Sequence, residues 1–270
     1  MRARRAFVAS AVLVSAGVVS GCAALRSRPA AEAEEIVVVH FGDSTCATDY
    51  LPAAERVDAL LAAQLAARYP RQRIASRNVC RAHDFVRQFL DGGRYARVRV
   101  QVPHIDVALI RYGQNDLARV PAAEFRAGLE ELCDRLAADY PGVHLVLETN
   151  TYVDPAHGGS ERRNARYDQY WDVVRTVAHA RGYPLVDVFA RRRQEVAAGN
   201  WDLSERSPRL ARQRFGRYVH DDGEDATMAG VPGWLGDVHP NARGVALVAD
   251  EELRTLVATW PDRLPRAGSQ

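Results

Sequence analysis

Residues 36–41 read Ile-Val-Val-Val-His-Phe, four β-branched residues in a row followed by two rings, and this stretch constrains the fold more than any other in the chain. A strand that is apolar at consecutive positions must be covered on both faces, as central strands of parallel α/β sheets are. The rest of the chain then alternates. Ala53–Tyr69 has apolar residues at Val57, Leu60, Leu61 and Leu65 at helical spacing and stops at Pro70. A strand is expected around Arg73–Val79, a short helix at Asp84–Leu90 that Asp91-Gly92-Gly93 breaks, and a strand at Asp106–Tyr112 that ends at Gly113. Phe125–Tyr140 reads as helix, His144–Glu148 as strand, Glu161–Arg181 as helix, Leu185–Phe189 as a short strand and Asn241–Trp260 as a last helix. Residues 191–234 are irregular, with a hint of helical spacing around Leu210–Tyr218, and their acidic stretch Asp221–Asp225 reads as a solvated loop. Strand–helix alternation with short right-handed connections implies one doubly wound domain over residues 36–260, helices on both faces, with 261–270 as a disordered tail.

Composition narrows the chemistry. The 270 residues, 47% apolar and 26% charged, suffice for a sizeable core and exclude disordered and collagen-like chains. All 36 basic residues are arginine, which removes every site that needs an ammonium group, from the phosphate-loop lysine to a Schiff base. The arginines are interleaved with 34 acids, so no basic face for nucleic acid is expected.

The first residues read as an address. Arg2, Arg4 and Arg5 precede an apolar run from Ala6 to Ser20, long enough for a signal-peptide core and too short to span a bilayer. The run ends in Val19-Ser20-Gly21-Cys22, which resembles a bacterial lipobox. Residues 1–21 are then the leader, Cys22 the lipidated residue, and 22–35 a tether holding the domain to the outer face of the cell membrane; a plain secretory signal with an incidental cysteine is the alternative. Export places Cys46, Cys80 and Cys133 in an oxidising compartment.

In doubly wound folds ligands bind beyond the carboxyl ends of the strands, so the informative residues follow each apolar run. After the first strand stands Gly42-Asp43-Ser44-Thr45, where Ser44 at a helix start can act as a nucleophile. After the third stands Gly113-Gln114-Asn115-Asp116, whose Asn115 amide offers two donors. Before the last helix stands Asp237-Val238-His239-Pro240-Asn241, whose His239 can take the serine's proton. Each alone is a turn or a helix start; their order at successive strand ends carries the inference. The remaining histidines lack paired ligand spacing, so no metal site is expected, and neither a Gly-x-Ser-x-Gly elbow nor a dinucleotide fingerprint is present.

From Ile36 to Val257 the sequence resembles the SGNH, or GDSL-type, hydrolases. The resemblance implies a flavodoxin-like three-layer sandwich with a five-stranded parallel sheet, Ser44 as nucleophile, His239 as general base, and an oxyanion hole formed by Ser44, Cys80 and Asn115. Thr45, where lipase-like members often carry Leu, points towards carbohydrate acetylesterases. Two positions depart from the pattern: Cys80 stands where the second block has Gly, and Asp237 lies two residues before His239 rather than three. Asp237 is the expected orienting acid, with Asp222, Asp225 or a backbone carbonyl as alternatives. The same correspondence sets Cys46 against Cys80 across the oxyanion hole, and a disulfide between them is expected, with Cys133 left as a buried thiol. The expected function is a monomeric exported serine esterase without cofactor, acting on small-molecule or glycan esters. A surface acyltransferase and a glycan-binding pseudoenzyme are the rivals.

Overall fold

The computed structural model describes residues 34–153, 160–200, 206–234 and 238–268. The leader, Cys22, the tether up to residue 33, and Asp237 lie outside the described residues. In chain order the elements are β1 (Glu34–Gly42), α1 (Ser44–Ala47), α2 (Val57–Arg68), β2 (Gln72–Asn78), α3 (Val86–Asp91), α4 (Arg94–Gln101), β3 (Val107–Arg111), α5 (Ala122–Asp139), β4 (His144–Glu148), α6 (Ser160–Arg181), β5 (Leu185–Val186), α7 (Val188–Ala197), α8 (Pro208–Phe215), α9 (Asp222–Met228) and α10 (Ala242–Thr259). The five strands pair in parallel in the order β2-β1-β3-β4-β5, the flavodoxin-like arrangement.

Alternate side chains of each central strand feed two cores, which is why these strands read as continuous apolar runs. Val39, Phe41, Ala108, Ile110, Leu145 and Leu147 pack with residues of α3 to α6, among them Phe89, Phe125 and the fully buried Trp171. Ile36, Val38, Val107, Leu109 and Val146 pack on the other face with Leu61 and Leu65 of α2 and Val245, Val248 and Leu256 of α10. Among the described residues no helix is long and apolar enough to cross a membrane.

Four segments differ from the sequence expectation. Helix α4 is additional; its sequence Arg-Tyr-Ala-Arg-Val-Arg-Val-Gln is dominated by arginine and buries only Tyr95 and Val98. Strand β5 stops after two residues because the Asp187 side chain caps α7, accepting from the Ala190 N–H. The acidic stretch at 221–225 is not a solvated loop: Asp221 caps α9, and Asp225 is buried against Arg206. The tail is docked as far as residue 268. Leu264 is fully buried, its N–H and C=O bonded to the two ends of the Gln72 side-chain amide, and the Ala267 N–H donates to Asp106.

Candidate active site

The Gly-Asp-Ser turn is built by close packing. A Cβ on Gly42 would come within 2.5 Å of the Arg111 carbonyl oxygen and 2.8 Å of Cys46 Cβ, so only glycine lets β1 run this close to β3 and turn. Asp43 is the N-cap of α1: its Oδ1 accepts from the Thr45 N–H at 2.9 Å and from the Thr45 hydroxyl at 2.7 Å. Burial pushes the Asp43 carboxyl up, offset in part by those bonds to Thr45 and by the nearby His239. Ser44 is thereby the first residue of α1, where a backbone N–H has no intrahelical acceptor.

Ser44 and His239 line one cavity of about 590 Å³ at the carboxyl edge of the sheet, together with Asp49, Tyr50, Ala82, His83 and residues of α8. Tyr50 holds the histidine segment in place. Its ring meets the His239 imidazole edge to face at 5.4 Å, and its hydroxyl donates to the Pro240 carbonyl at 2.8 Å. Asn241 then caps α10 through the Gly244 N–H. The Asn241 amide donates to Asp222 and Asp225, each at 2.8 Å. Asp222 also pairs with Arg243, and Asp225 with Arg206. The alternative acids thus anchor the residue two places beyond His239.

The third block sits against the second. Asn115 Nδ2 donates to the Asp84 carbonyl at 2.9 Å, which uses one amide hydrogen and leaves the other. Asp116 accepts from the Gly113 N–H and the Val86 N–H, fixing the turn to the start of α3. Burial raises the Asp116 carboxyl to about 7 despite those bonds. Gly113 has φ +122°, and a Cβ there would meet Trp171 at 2.6 Å, so this turn needs its glycine.

Cys46 and Cys80 form a disulfide with a Cα–Cα distance of 5.8 Å, and Cys133 is a buried thiol. The expected oxyanion role of Cys80 is corrected. Its N–H already donates to Asn78 Oδ1 at 3.0 Å, and Cys80 faces a different hollow, lined by Arg81, Arg94 and Arg97. His83, three residues on, lines the cavity instead. It has φ +67°, a left-handed geometry that glycine adopts freely and other residues rarely. No acceptor is recorded for its N–H among the described residues.

Beneath the turn lies a buried charged network that the sequence did not disclose. Arg111 Nε donates to Glu148 at 2.5 Å and its other arm pairs with Glu252, while His40 Nε2 lies 3.2 Å from Glu252. Arg111 also reaches the Thr45 carbonyl at 3.4 Å. Burial raises Glu148 to about 7, with Arg111 opposing the shift. Burial alone would lower His40, but Glu252 more than offsets it and the imidazole is raised. Among the described residues, no three His, Cys, Asp or Glu side chains cluster to hold a metal ion.

A family model described as GDSL-like lipase/acylhydrolase matches residues 40–247, a span that holds Ser44, His83, Asn115 and His239. The chain belongs to the GDSL-like lipase/acylhydrolase family. Solved structures of similar fold include an alpha/beta hydrolase enzyme from the metagenome of Lake Arreo, Spain, with 23% identity and a TM-score of 0.59 over 83% of this chain and 95% of that one. An acetylxylan esterase from Geobacillus stearothermophilus is similar at 20% identity and a TM-score of 0.59, over 83% and 96% of the two chains. A putative GDSL-like lipase from Parabacteroides merdae is similar at 15% identity and a TM-score of 0.59, over 82% and 95%. At these identities the likeness is one of fold. No curated protein matches the chain. In this member of the GDSL-like family a histidine of left-handed geometry lines the same cavity as Ser44, and a disulfide locks the adjoining loops.

Proposed function

We propose that this GDSL-like family member is an exported, lipid-anchored serine esterase that hydrolyses O-acyl esters through an acyl-enzyme. The observation that carries the reading is the shared cavity of Ser44 and His239 at the start of α1. His239 takes the Ser44 hydroxyl proton as Oγ attacks the ester carbonyl, and the carbonyl electron pair moves to oxygen. The N–H groups of Ser44 and His83 and the second Asn115 amide hydrogen are the donors that would hold this oxyanion. The tetrahedral intermediate collapses, the C–O bond to the alcohol breaks, and His239 returns the proton to the leaving alkoxide. Water then repeats the sequence on the acyl-serine and releases the acid.

Asp237 remains the proposed orienting acid, since Asp222 and Asp225 are engaged with Asn241 and arginines. Thr45 and the acetylxylan esterase among the structural neighbours make O-acetyl carbohydrates the first substrates to try. The charged leader, the apolar run and Cys22 support anchoring by lipid. Ser44→Ala is expected to lower the kcat for p-nitrophenyl acetate by roughly 10⁴ or more while leaving the melting temperature within a few degrees. Activity retained at the wild-type level would refute the assignment of Ser44.

A further inference from the structure

Helix α8 forms one wall of the cavity through Pro208, Arg209, Arg212 and Gln213. Arg209 and Arg212 are one helical turn apart, so their side chains leave the same face. Both are exposed, and neither side chain has a hydrogen bond or ion pair to a described residue. Nearby arginines behave differently: Arg206 pairs with Asp225, Arg217 with Glu224 and Arg243 with Asp222. Against the two guanidinium groups, Asp49 is the one carboxylate among the described lining residues. Among the described lining residues, two arginines against one aspartate leave an excess of positive charge.

The position of that wall decides which half of the substrate meets it. Pro208 and Ser207 also line a narrower hollow with Tyr50, His239 and Pro240, so α8 begins on the His239 side. The oxyanion donors come from α1, from the segment before α3, and from Asn115 after β3, whose amide is bonded to Asp84 of that segment. In the proposed reaction His239 protonates the departing alkoxide, so the alcohol half of the ester lies towards His239 and α8.

We infer that the cavity selects esters whose alcohol half carries an anionic oxyacid group, such as the carboxylate of an acylated uronic acid, held by Arg209 and Arg212. This inference rests on Ser44 and His239 acting as nucleophile and base. A planar carboxylate suits the guanidinium fork, and a sulfonate or sulfate shares the chemistry.

Three acetyl esters test it: 3-acetoxybenzoate, 3-acetoxybenzenesulfonate and the neutral methyl 3-acetoxybenzoate, each kcat/KM normalised to that ester's hydroxide-catalysed rate. The wild type is expected to prefer the anionic esters over the neutral one by about tenfold, two partly exposed pairs each contributing a few-fold. In R209Q/R212Q the ratio is expected to fall below about two, while R209K/R212K keeps an intermediate ratio, the charge remaining and the fork being lost. The carboxylate-to-sulfonate ratio identifies the oxyacid. A wild-type ratio near one, or a preference that survives in R209Q/R212Q, overturns the inference while ester hydrolysis stands. If no ester is turned over, the esterase reading fails, and calorimetric binding of 3-acetoxybenzoate and its methyl ester to the chain decides the inference by itself. Arginine-dependent preference for the anion sustains it, and equal binding refutes it.

Discussion

His83 carries a side chain where the backbone is left-handed, a geometry that costs an ordinary residue about 1–2 kcal/mol and glycine almost nothing. If its backbone N–H is what the site needs, glycine supplies the same donor without the strain. His83→Gly is therefore expected to retain ester hydrolysis within a few-fold and to raise unfolding free energy by up to about 1 kcal/mol, the gain reduced by the added freedom of the unfolded chain. Denaturant unfolding and steady-state kinetics on one preparation check both. Asp116 makes a second residue-scale prediction. Its carboxyl is raised to about 7 by burial, above the ordinary value near 4 in the unfolded chain. The native state therefore holds an extra proton between those values, and stability falls as pH rises through that window. Between pH 5 and 7.5 the wild type is expected to lose about 2 kcal/mol relative to Asp116→Asn, read from urea unfolding at each pH. A wild-type-to-variant difference that is flat across this range would place the Asp116 carboxyl in its ordinary range. Ser44 and His239, which share the cavity, were legible as candidates because one follows a strand and the other precedes a helix. His83 was not, because its exposure to the cavity depends on a turn whose backbone sign no spacing reveals, and Cys80 drew attention through chemistry that its N–H cannot supply once Asn78 has taken it.

The elements around the site are tied by few, specific connections. The disulfide joins α1, directly behind Ser44, to the segment between β2 and α3 that holds His83 and Asp84. It closes a loop of sequence separation 34. The chain-entropy estimate for such a loop is between about 3 and 4 kcal/mol. Cys46→Ala/Cys80→Ala is expected to lower the melting temperature by on the order of 10 °C, and kcat should fall as the serine and His83 segments lose their common anchor. An unchanged melting point in the double variant and in reduced wild type would show that packing alone holds the two loops. Beneath them Arg111 of β3 bridges Glu148 of β4 and Glu252 of α10, with His40 of β1 on the same carboxylate. The sequence showed these strands as apolar runs and gave no sign that their charged residues face one another, since that follows only from which face each residue takes. Helix α4 and helix α9 were missed for a related reason: with two buried residues each, they show charge rather than periodicity.

At the scale of the whole molecule the parallel sheet brings the ends of β1 and β3 to one edge, and residues 44 and 239 line one cavity there although nearly 200 positions separate them. Alternation of strands and helices was enough to read that architecture, because buried parallel strands and right-handed crossovers leave few other arrangements. The docked tail was not readable: a single leucine, Leu264, and the two-way bonding of the Gln72 amide hold it, and neither makes a pattern in sequence. The central claim is that this architecture assembles a reactive serine with its base. A fluorophosphonate probe followed by peptide mass spectrometry tests it most directly: the adduct is expected on Ser44, with labelling slowed at least about a hundredfold in His239→Ala, whereas an unlabelled Ser44, or labelling at the same rate without His239, would contradict it.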